Sequence, residues 1–525
     1  MVSLLADIAV AALLATIYRY IVYPAFLSPL AKIPAAHFSA HFSSLWLKYI
    51  RYHNIENRTV QALHEKYGPI VRLGPSELSI NCYDEGLKTV YGGGFPKTTW
   101  YPLQFAFYGF TNMFTTIDSH AHSVRKRMVS NMYSKSSILA SPNLRATTTA
   151  ILHTRLLPLL ASKAISPIDI LPLAHAYTMD SFTAFQYGLP RASNFLGDPD
   201  EREWYIGTWR SVRPYSFYLT EAPRVTAWLR RWLGVQLVPA AVTNGFQELE
   251  AWNLQKCDEA AKAIAAEKTG DGDAPVVFGT MLAQFRKLYG GECWGSAAAA
   301  DGESAQRRRL EIASDMFDHN VAAMETSGLT LTWALYELSR RPALQARLRR
   351  ELLTLRPPVS LDAAALPDPK TLDALPLLDA VLQETLRLWP AVAGRQPRCT
   401  PPGPPCTLAG HADIPPGVAV QAYAYSLHRN GEVFPAPEEW LPERWTEAEP
   451  ARLAEMRRWS WAFGSGGRAC VGRHFAANSI KHFVAAIYTN FTTEIEDAEG
   501  IEQTDGFMAP PKGEKLILRF HRVEG

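Results

Sequence analysis

A single cysteine lies in the glycine-rich stretch Phe463-Gly464-Ser465-Gly466-Gly467-Arg468-Ala469-Cys470-Val471-Gly472, two residues after an arginine. Apolar residues follow at helical spacing from Ala476 to Phe491, which predicts that Cys470 lies just before the N-terminus of a helix. The helix dipole and free N–H groups there favour a thiolate over a thiol, and the glycines let backbone N–H groups approach the sulfur. The chemistry indicated is a thiolate ligand on haem iron.

Two other interpretations of Cys470 compete with this one. A lone cysteine is commonly a buried structural residue, here in a turn that leads into a helix. Cys470 and His474 also lie four residues apart, as two zinc ligands on one helix face do. The sequence contains no C-x-x-C pair to complete a zinc site, so zinc is the weaker hypothesis.

The cysteine stretch resembles the haem-binding signature of the cytochrome P-450 family, F-x-x-G-x-R-x-C-x-G. Phe463, Gly466, Arg468, Cys470 and Gly472 match its fixed positions. The resemblance implies that Cys470 is the axial thiolate ligand of haem b and that Phe463 belongs to the cofactor site. It also implies that Arg468 contacts a haem propionate, since a guanidinium pairs well with a carboxylate.

A second motif lies in a long helical pattern over residues 309–340, which ends before Pro342. Its middle, Ala322 to Ser327, resembles the family's A-G-x-(D/E)-T-(T/S) segment, which implies that Glu325 and Thr326 handle protons during oxygen activation. The alternative is that the Thr326 hydroxyl only bonds the carbonyl four residues back. Ala323 replaces the family's glycine, which leaves the geometry for oxygen activation open.

A third motif, Glu384-Thr385-Leu386-Arg387, precedes the cysteine in the family's order, and Arg444 lies between the two. E-x-x-R alone is weak, because a pair at this spacing contributes little on a helix surface. By resemblance we expect Glu384, Arg387 and Arg444 to form a buried network that supports the haem loop without taking part in catalysis.

Further propionate contacts are implied by resemblance. Arg398 follows a proline as in the family, and His122 and Lys126 share one face of a basic helix. Arg125 or Arg127 could take the place of Lys126 after a small rotation. A solvated basic helix face is the alternative for any of these three basic residues.

The substrate pocket has aromatic and small candidates. An aromatic-rich stretch without helical or strand period, residues 95–114, predicts either a hydrophobic plug or a pocket wall, and the family places a substrate-lining loop here. The lining candidates are Trp100, Phe105, Phe107, Tyr108, Phe114, Ala322, Ala323, Ala391 and Met508.

Residues 2–27 are almost continuously apolar, interrupted by Asp7 and Arg19, and are long enough for the roughly 20 residues that a bilayer requires. A buried core helix is the alternative. No basic residue precedes the run, which argues against a cleaved signal peptide. Basic residues follow it, so the positive-inside rule places the rest of the chain in the cytosol. A proline-containing linker, residues 28–45, comes next.

Composition agrees with a globular, lipophilic-ligand protein. The chain has 525 residues, 47% of them hydrophobic and 11% aromatic, and its net charge of +2 gives no case for nucleic acid. Six scattered cysteines are not a disulfide framework and indicate a reducing compartment.

The resemblance covers the whole chain and implies a mainly α fold with small β-sheets, the cytochrome P-450 fold. We predict a membrane anchor at 1–27, the linker at 28–45 and a haem-binding catalytic domain at 46–525. The chain would be a monomer on the endoplasmic reticulum membrane, anchored by a single pass with its catalytic domain in the cytosol.

The implied activity is a monooxygenase that hydroxylates or epoxidises a lipophilic substrate in fungal secondary metabolism. Electrons would come from NADPH through cytochrome P-450 reductase, with cytochrome b5 as an optional second donor. Ala323 keeps open a haem-thiolate enzyme that catalyses desaturation, isomerisation or dehydration without net oxygenation. A non-catalytic haem-binding protein is a third hypothesis, against which the Glu325–Thr326 pair argues.

Overall fold

The structure is a computed structural model that describes residues 2–163, 166–266, 270–290, 293–294, 302–363 and 365–523. Met1 and residues 524–525, the outer ends of the predicted domain division, lie outside these ranges. The predicted class is confirmed, because most of the described chain is helical and the strands form three small sheets.

Helices make up most of the described chain. The α-helices are α1 Val2–Ile17, α2 Leu45–Tyr52, α3 Glu56–Tyr67, α4 Trp100–Phe105, α5 Ser119–Ser130, α6 Lys135–Ala140, α7 Pro142–Ala150, α8 Leu157–Ser162, α9 Ile170–Tyr187, α10 Pro199–Arg210, α11 Ser216–Thr220, α12 Pro223–Leu233, α13 Ala240–Ala265, α14 Val276–Tyr289, α15 Gly302–Ser339, α16 Pro342–Leu352, α17 Pro369–Asp373, α18 Pro376–Leu388, α19 Ala424–Leu427, α20 Arg444–Glu447, α21 Pro450–Trp459 and α22 Arg473–Asn490. Shorter π and 3₁₀ turns are Tyr18–Leu27, Pro29–Lys32, Phe38–His41, Tyr83–Gly92, Ile151–Leu156, Leu189–Arg191, Arg213–Tyr215 and Gly466–Arg468.

The strands are few and short. They are β1 Ile70–Gly74, β2 Glu77–Ile80, β3 Ile168–Asp169, β4 Arg398–Cys399, β5 Cys406–Leu408, β6 His411–Ile414, β7 Ala419–Gln421, β8 Phe491–Asp497 and β9 Ile517–Arg522. One sheet has the order β1-β2-β7-β4, in which β2 and β7 are parallel, the second has the order β3-β9-β8, and the third is the hairpin β5-β6. The first sheet thus joins the N-terminal region to the segment that carries Arg398.

Helix α15 is the central helix, and it begins before the predicted residue 309. It contains no proline, and after its first residue, Gly302, its only glycine is Gly328. A Cβ at Gly328 would lie 2.9 Å from the ring of His175 on α9 and 3.2 Å from its Cα, so glycine lets α9 and α15 pack closely here. The helix ends at Ser339, before Pro342, as the sequence predicts.

The N-terminal helix is the exception to this packing. Residues Leu4–Leu27 form a continuous helix that is long and apolar enough to cross a membrane, and its side chains are not buried in the protein. Leu30, Ile33 and Ala40, in the predicted linker, are buried instead. The exposed apolar helix fits a membrane anchor, and the chain joins the core directly after it.

We predict that acid destabilises the fold through buried neutral histidines, of which His64 is the clearest. Its Nδ1–H donates to Gly68 O at 2.8 Å and its Nε2 lies 2.6 Å from Ser79 Oγ, which ties α3 to β2. Burial lowers the pKa of His64 from 6.5 to about 4, so between these values the unfolded chain binds a proton that the folded chain does not.

The contribution of His64 to the free energy of unfolding is therefore complete above pH 6.5 and should fall by about 2 kcal/mol between pH 8 and pH 5. Urea unfolding at the two pH values should show a shallower pH dependence, by about that amount, for His64→Gln than for the wild type. His53→Gln, at an exposed position, is the control. Equal pH dependence in all three proteins would contradict this assignment.

Candidate functional site

The cysteine loop is shaped by glycines with positive φ. Gly464 and Gly466 have φ of +63° and +66°, and a Cβ at Gly466 would lie 2.1 Å from Tyr91 O. The Cys470 N–H donates to Phe463 O at 2.9 Å, which closes the loop. Three residues after the cysteine, α22 begins, so the predicted position of the sulfur ahead of a helix is observed.

The sulfur environment corrects one expectation. Burial raises the pKa of the Cys470 thiol, and the opposing effects of the Gly472 N–H, Lys126 and Arg473 do not overcome it. The predicted N–H contribution is present and Lys126 and Arg473 add to it, but burial outweighs all three, so the loop by itself does not favour the thiolate. Because metal binding displaces the thiol proton, a bound metal would supply the missing stabilisation.

An interior space separates the cysteine from α15. The side chain of Cys470 is exposed, so open space lies beside it. Protein atoms nevertheless surround the sulfur closely enough that burial is the largest influence on its pKa. On α15, Ala322 is exposed and Thr326 is half-buried, whereas most positions around them are buried. Asp318 of α15 acts electrostatically on Cys470, so the two walls lie near each other.

Cations converge beside this space without carboxylate partners. Lys97, His122, Arg398 and Arg468 influence one another electrostatically, and none forms an ion pair with a described residue. Burial and then Arg468 lower the pKa of His122 to about 3, and burial and then Arg398 lower that of Arg468 to about 10. Such mutual repulsion would be relieved by a ligand that carries carboxylates, as the two propionates of haem do.

The two arginines are held by neutral oxygens. Arg468 donates to Thr116 O at 2.6 Å and to Ile117 O at 2.7 Å. Arg398, which is 2% exposed, donates to Tyr101 Oη at 2.5 Å, and its Nε is buried without a hydrogen-bond partner. An orphaned guanidinium N–H beside the interior space fits a carboxylate ligand, so the residues present are compatible with haem.

The three basic residues of α5 have different partners. Lys126 Nζ donates to Gly467 O at 3.0 Å and to Ala469 O at 2.7 Å, so it contacts the backbone of the cysteine loop. Arg125 lies 3.3 Å from both Glu311 and Asp315 of α15. Arg127 bonds Ser123 on its own helix.

Lys97 is a site residue that the motif comparison missed. It is 4% exposed, donates to Phe114 O, and its Nζ lies 4.1 Å and 3.8 Å from the ring centroids of Tyr101 and Phe114. Burial and then Arg398 and Arg468 hold the pKa of Lys97 well below its usual value. The available signal was a lone lysine at the start of an aromatic stretch, which no spacing rule distinguishes from a surface charge.

The oxygen-helix pair has unequal surroundings. Glu325 is 3% exposed and contacts Arg213, from the turn after α10, while its other oxygen lies 3.9 Å from His175 Nε2. Burial raises the pKa of Glu325, but Arg213 and then His175 outweigh it, so the net pKa is lowered and the carboxylate is ionised at neutral pH. The Thr326 hydroxyl donates to Ala322 O at 2.8 Å, the back-bonded arrangement expected of a structural threonine.

The aromatic candidates form two groups. Trp100, Phe105 and Phe114 cluster with Phe507, with neighbouring ring centroids 5.0 to 5.9 Å apart. Phe107 packs instead against Phe317 of α15, at 4.5 Å. These two groups bring residues 100–114 against both the C-terminal turn and the central helix.

The remaining lining candidates lie in three different surroundings. The backbone N–H and the hydroxyl of Tyr108 both donate to Glu250 of α13, and its ring centroid lies 6.5 Å from that of Phe317. Ala391 and Met508 pack together in a small apolar cluster with Leu329 of α15. Ala323 is half-buried beside the exposed Ala322.

Glu384 is the centre of a fully buried charge network. Arg387 binds both of its oxygens, at 2.8 and 2.9 Å, and Arg444 Nε binds Oε1 at 2.9 Å. The Trp445 indole N–H and the Leu441 N–H donate to the same carboxylate at 2.8 and 2.9 Å. The side chains of Glu384 and Arg387 are 0% exposed, so this is not a surface pair.

His428 connects this network to the cysteine loop. Arg387 Nη1 donates to His428 O at 3.0 Å, and His428 Nδ1–H donates back to Arg387 O at 2.9 Å. The Trp461 N–H then donates to His428 Nε2 at 2.7 Å, and Gly464 N–H to Trp461 O at 2.9 Å. Burial and then Arg387 lower the pKa of His428 to about 3, which keeps Nε2 available as an acceptor. The chain of bonds reaches the loop that carries Cys470.

Comparison with known proteins gives one family. The family model described as Cytochrome P450 matches residues 296–518. The cytochrome P450 monooxygenase avaI of Aspergillus versicolor is 29% identical over 438 residues, which cover 81% of this chain and 95% of that protein. The cytochrome P450 monooxygenase FGM1 of Gibberella zeae is 26% identical over 469 residues, 88% of this chain and 87% of that protein. Pisatin demethylase of Fusarium vanettenii is 26% identical over 487 residues, 91% and 88% of the respective chains.

We predict that Glu384→Gln destabilises the protein by about 3 to 5 kcal/mol, because it leaves two buried guanidinium groups without their carboxylate. Thermal unfolding of the full chain measures the effect. Glu443→Gln is the matched control, since Glu443 pairs at 2.7 Å with Arg347 on the surface, where a pair contributes about 0 to 1 kcal/mol. Equal losses in the two variants would contradict the structural role of the buried network.

Proposed function

We propose that this chain is a cytochrome P450 monooxygenase that inserts one oxygen atom of O2 into a lipophilic substrate by hydroxylation or epoxidation. The pathway would be one of fungal secondary metabolism, to which the curated relatives point. The single observation that carries the proposal is Cys470 on its glycine-shaped loop, facing α15 across an interior space lined by unpaired cations.

We propose haem b as the cofactor, with Cys470 as its iron ligand and Phe463 beside it. Thiolate-ligated haem supplies the activation of dioxygen when it is bound. Arg398, Arg468 and His122 would hold the propionates, and Lys126 would act through the loop carbonyls that it bonds or by turning toward a propionate. Lys97 joins this set because it shares their electrostatic environment.

Proton handling is assigned to Glu325 and Thr326. Glu325 holds its charge through Arg213, which also bonds the partly exposed Glu514 at 2.7 Å, so a line of polar groups leads from this carboxylate toward solvent. The Thr326 hydroxyl donates to Ala322 O and keeps its oxygen lone pairs for a hydrogen bond from the space beside α15. Glu384, Arg387 and Arg444 have no part in proton transfer and hold the loop in place.

The substrate would lie against the aromatic group of Trp100, Phe105, Phe114 and Phe507 and against Ala322 of α15. Apolar and aromatic walls with few polar groups are typical of pockets for lipophilic ligands. Electrons would come from NADPH through cytochrome P-450 reductase, with cytochrome b5 as an optional second donor, and the chain would act as a monomer.

We propose that residues 1–27 anchor the chain in the endoplasmic reticulum membrane by a single pass, with residues 28–45 as the linker and the catalytic domain 46–525 in the cytosol. The exposed helix Leu4–Leu27 supports the anchor. Further exposed apolar side chains support a membrane-facing side: on α12, Trp228 and Trp232 are 54% and 67% exposed, and on α2, Leu45 is 74% exposed. Tyr52 of α2 contacts Phe217 of α11, the helix just before α12, with their ring centroids 5.3 Å apart.

A second candidate is a haem-thiolate enzyme that desaturates, isomerises or dehydrates its substrate. Ala323 in place of glycine and the back-bonded Thr326 hydroxyl both favour it, since each limits the oxygen side of α15. Turnover in labelled O2 separates the two candidates, because only the monooxygenase puts the label into its product.

We predict that the reduced, carbon-monoxide-treated full-length protein shows the long-wavelength absorption band of thiolate-ligated haem and that Cys470→Ser abolishes it. The serine hydroxyl does not ionise to replace the thiolate near neutral pH. Cys406→Ser, on the β5–β6 hairpin, is the control and should retain the band. Persistence of the band in Cys470→Ser would exclude Cys470 as the ligand.

A further inference from the structure

Arg72 is a buried arginine on β1 that the proposed mechanism does not use. It is 1% exposed and forms no ion pair with a described residue. A buried cation without a carboxylate is costly unless other acceptors satisfy its donors. The acceptors of Arg72 are mostly backbone carbonyls, and one of them belongs to the apolar N-terminal helix.

All five N–H groups of the Arg72 guanidinium have an acceptor. Nε donates to Gly74 O at 3.2 Å, and Nη2 donates to His41 O at 3.2 Å and to Pro75 O at 2.9 Å. Nη1 donates to Pro24 O and to His41 Nδ1, both at 2.9 Å. One planar group therefore joins the end of its own strand, the short turn that ends at His41 and the end of the apolar helix.

The local sequence explains why the Pro24 carbonyl is free to accept this bond. The last turns of the apolar helix have the π pattern, in which the Ser28 N–H donates to Tyr23 O. The same pattern would supply Pro24 O with a donor at position 29, but Pro29 has no N–H. The last carbonyls of a helix have no partner within the helix, and a cation beside them is favoured by the helix dipole. The Arg72 side chain thus caps this helix.

The backbone of Arg72 fixes the segment that follows the helix. Its N–H donates to Pro34 O at 2.8 Å, and its carbonyl accepts the Ala36 N–H at 2.9 Å, so this segment pairs with β1. Leu30 and Ile33 are 3% and 2% exposed and pack in one apolar cluster with residues of the first sheet. A segment held by hydrogen bonds and by buried side chains does not behave as a flexible linker.

We propose that Arg72 is a clamp that holds the N-terminal helix at one fixed angle to the catalytic domain, so that the domain meets the membrane in a single orientation. Rotation at the joint would leave N–H groups of a buried guanidinium unpaired, which opposes a hinge there. The clamp also fixes the place of Phe38, which is 73% exposed on the turn that ends at His41, relative to the membrane. This inference rests on the proposed membrane anchor and deepens it.

The distance between two spin labels, measured by pulsed electron paramagnetic resonance, tests whether the joint is rigid. Labels carried by unnatural amino acids, which avoid the native cysteines, replace Leu13 on the N-terminal helix and Glu65 on α3, both at exposed positions. A second pair, at Glu65 and the exposed Asp200 of α10, lies within the catalytic domain and gives a reference width. In lipid nanodiscs, we expect the helix–domain distribution of the wild type to have a single maximum and a width within about 1.5-fold of the reference.

Two variants and one control complete the test. Arg72→Lys keeps the charge but places its donors on one nitrogen, so it should widen the helix–domain distribution about 2-fold or more and leave the reference pair unchanged. His41→Leu removes only the side-chain acceptor and should widen the same distribution by less. Arg452→Lys should behave as the wild type, because the Arg452 guanidinium bonds the carbonyls of Glu432 and Val433 within the catalytic domain.

The clamp and the anchor fail in different ways. The clamp is overturned if the wild-type helix–domain distribution is much wider than the reference, if neither variant widens it, or if Arg72→Lys widens both pairs equally, as loss of an ordinary core residue would. A chain that does not enter nanodiscs would instead overturn the proposed anchor. The same widths measured in detergent micelles would then still decide whether Arg72 fixes the joint.

Discussion

The rest of the structure depends on the buried ion pairs that the Glu384 carboxylate forms with Arg387 and Arg444. Charges buried this completely are tolerated only when their partners satisfy every lone pair, and Glu384 accepts five hydrogen bonds from two arginines, an indole and one backbone N–H. The same Arg387 exchanges hydrogen bonds with His428, whose free nitrogen accepts the Trp461 N–H. The place of Cys470 is therefore set by a helix that ends more than eighty residues earlier in the chain.

A second group of buried charges consists of cations that have no carboxylate partner, in contrast to the paired carboxylate of Glu384. Glu384 is bound by two arginines, whereas none of Arg398, Arg468, Lys97 and His122 forms an ion pair with a described residue. Burial and then repulsion lower the pKa values of Lys97, His122 and Arg468, and burial raises that of Cys470. A cofactor that carries both a metal ion and two carboxylates would relieve both effects, since the metal stabilises the thiolate and the carboxylates pair with the cations.

Motifs with fixed spacing were predictable from the sequence, and contacts between distant segments were not. The position of the cysteine loop ahead of a helix follows from turn chemistry and helical periodicity, whereas the buried Glu384–Arg387 pair was implied by the family resemblance. Arg213 and Lys97 could not be predicted, because their importance comes from burial next to Glu325 and Arg398, more than a hundred residues away in sequence. The net direction of the Cys470 pKa could not be predicted, because desolvation depends on packing, which a loop sequence does not contain.

The central claim is that Cys470 provides a sulfur ligand to a bound iron. X-ray absorption at the iron edge of the purified full-length protein measures the ligand atoms directly, without a substrate or a reductase. We expect one sulfur atom in the first coordination shell together with the four nitrogen atoms of the porphyrin. A first shell that contains only nitrogen and oxygen would contradict it.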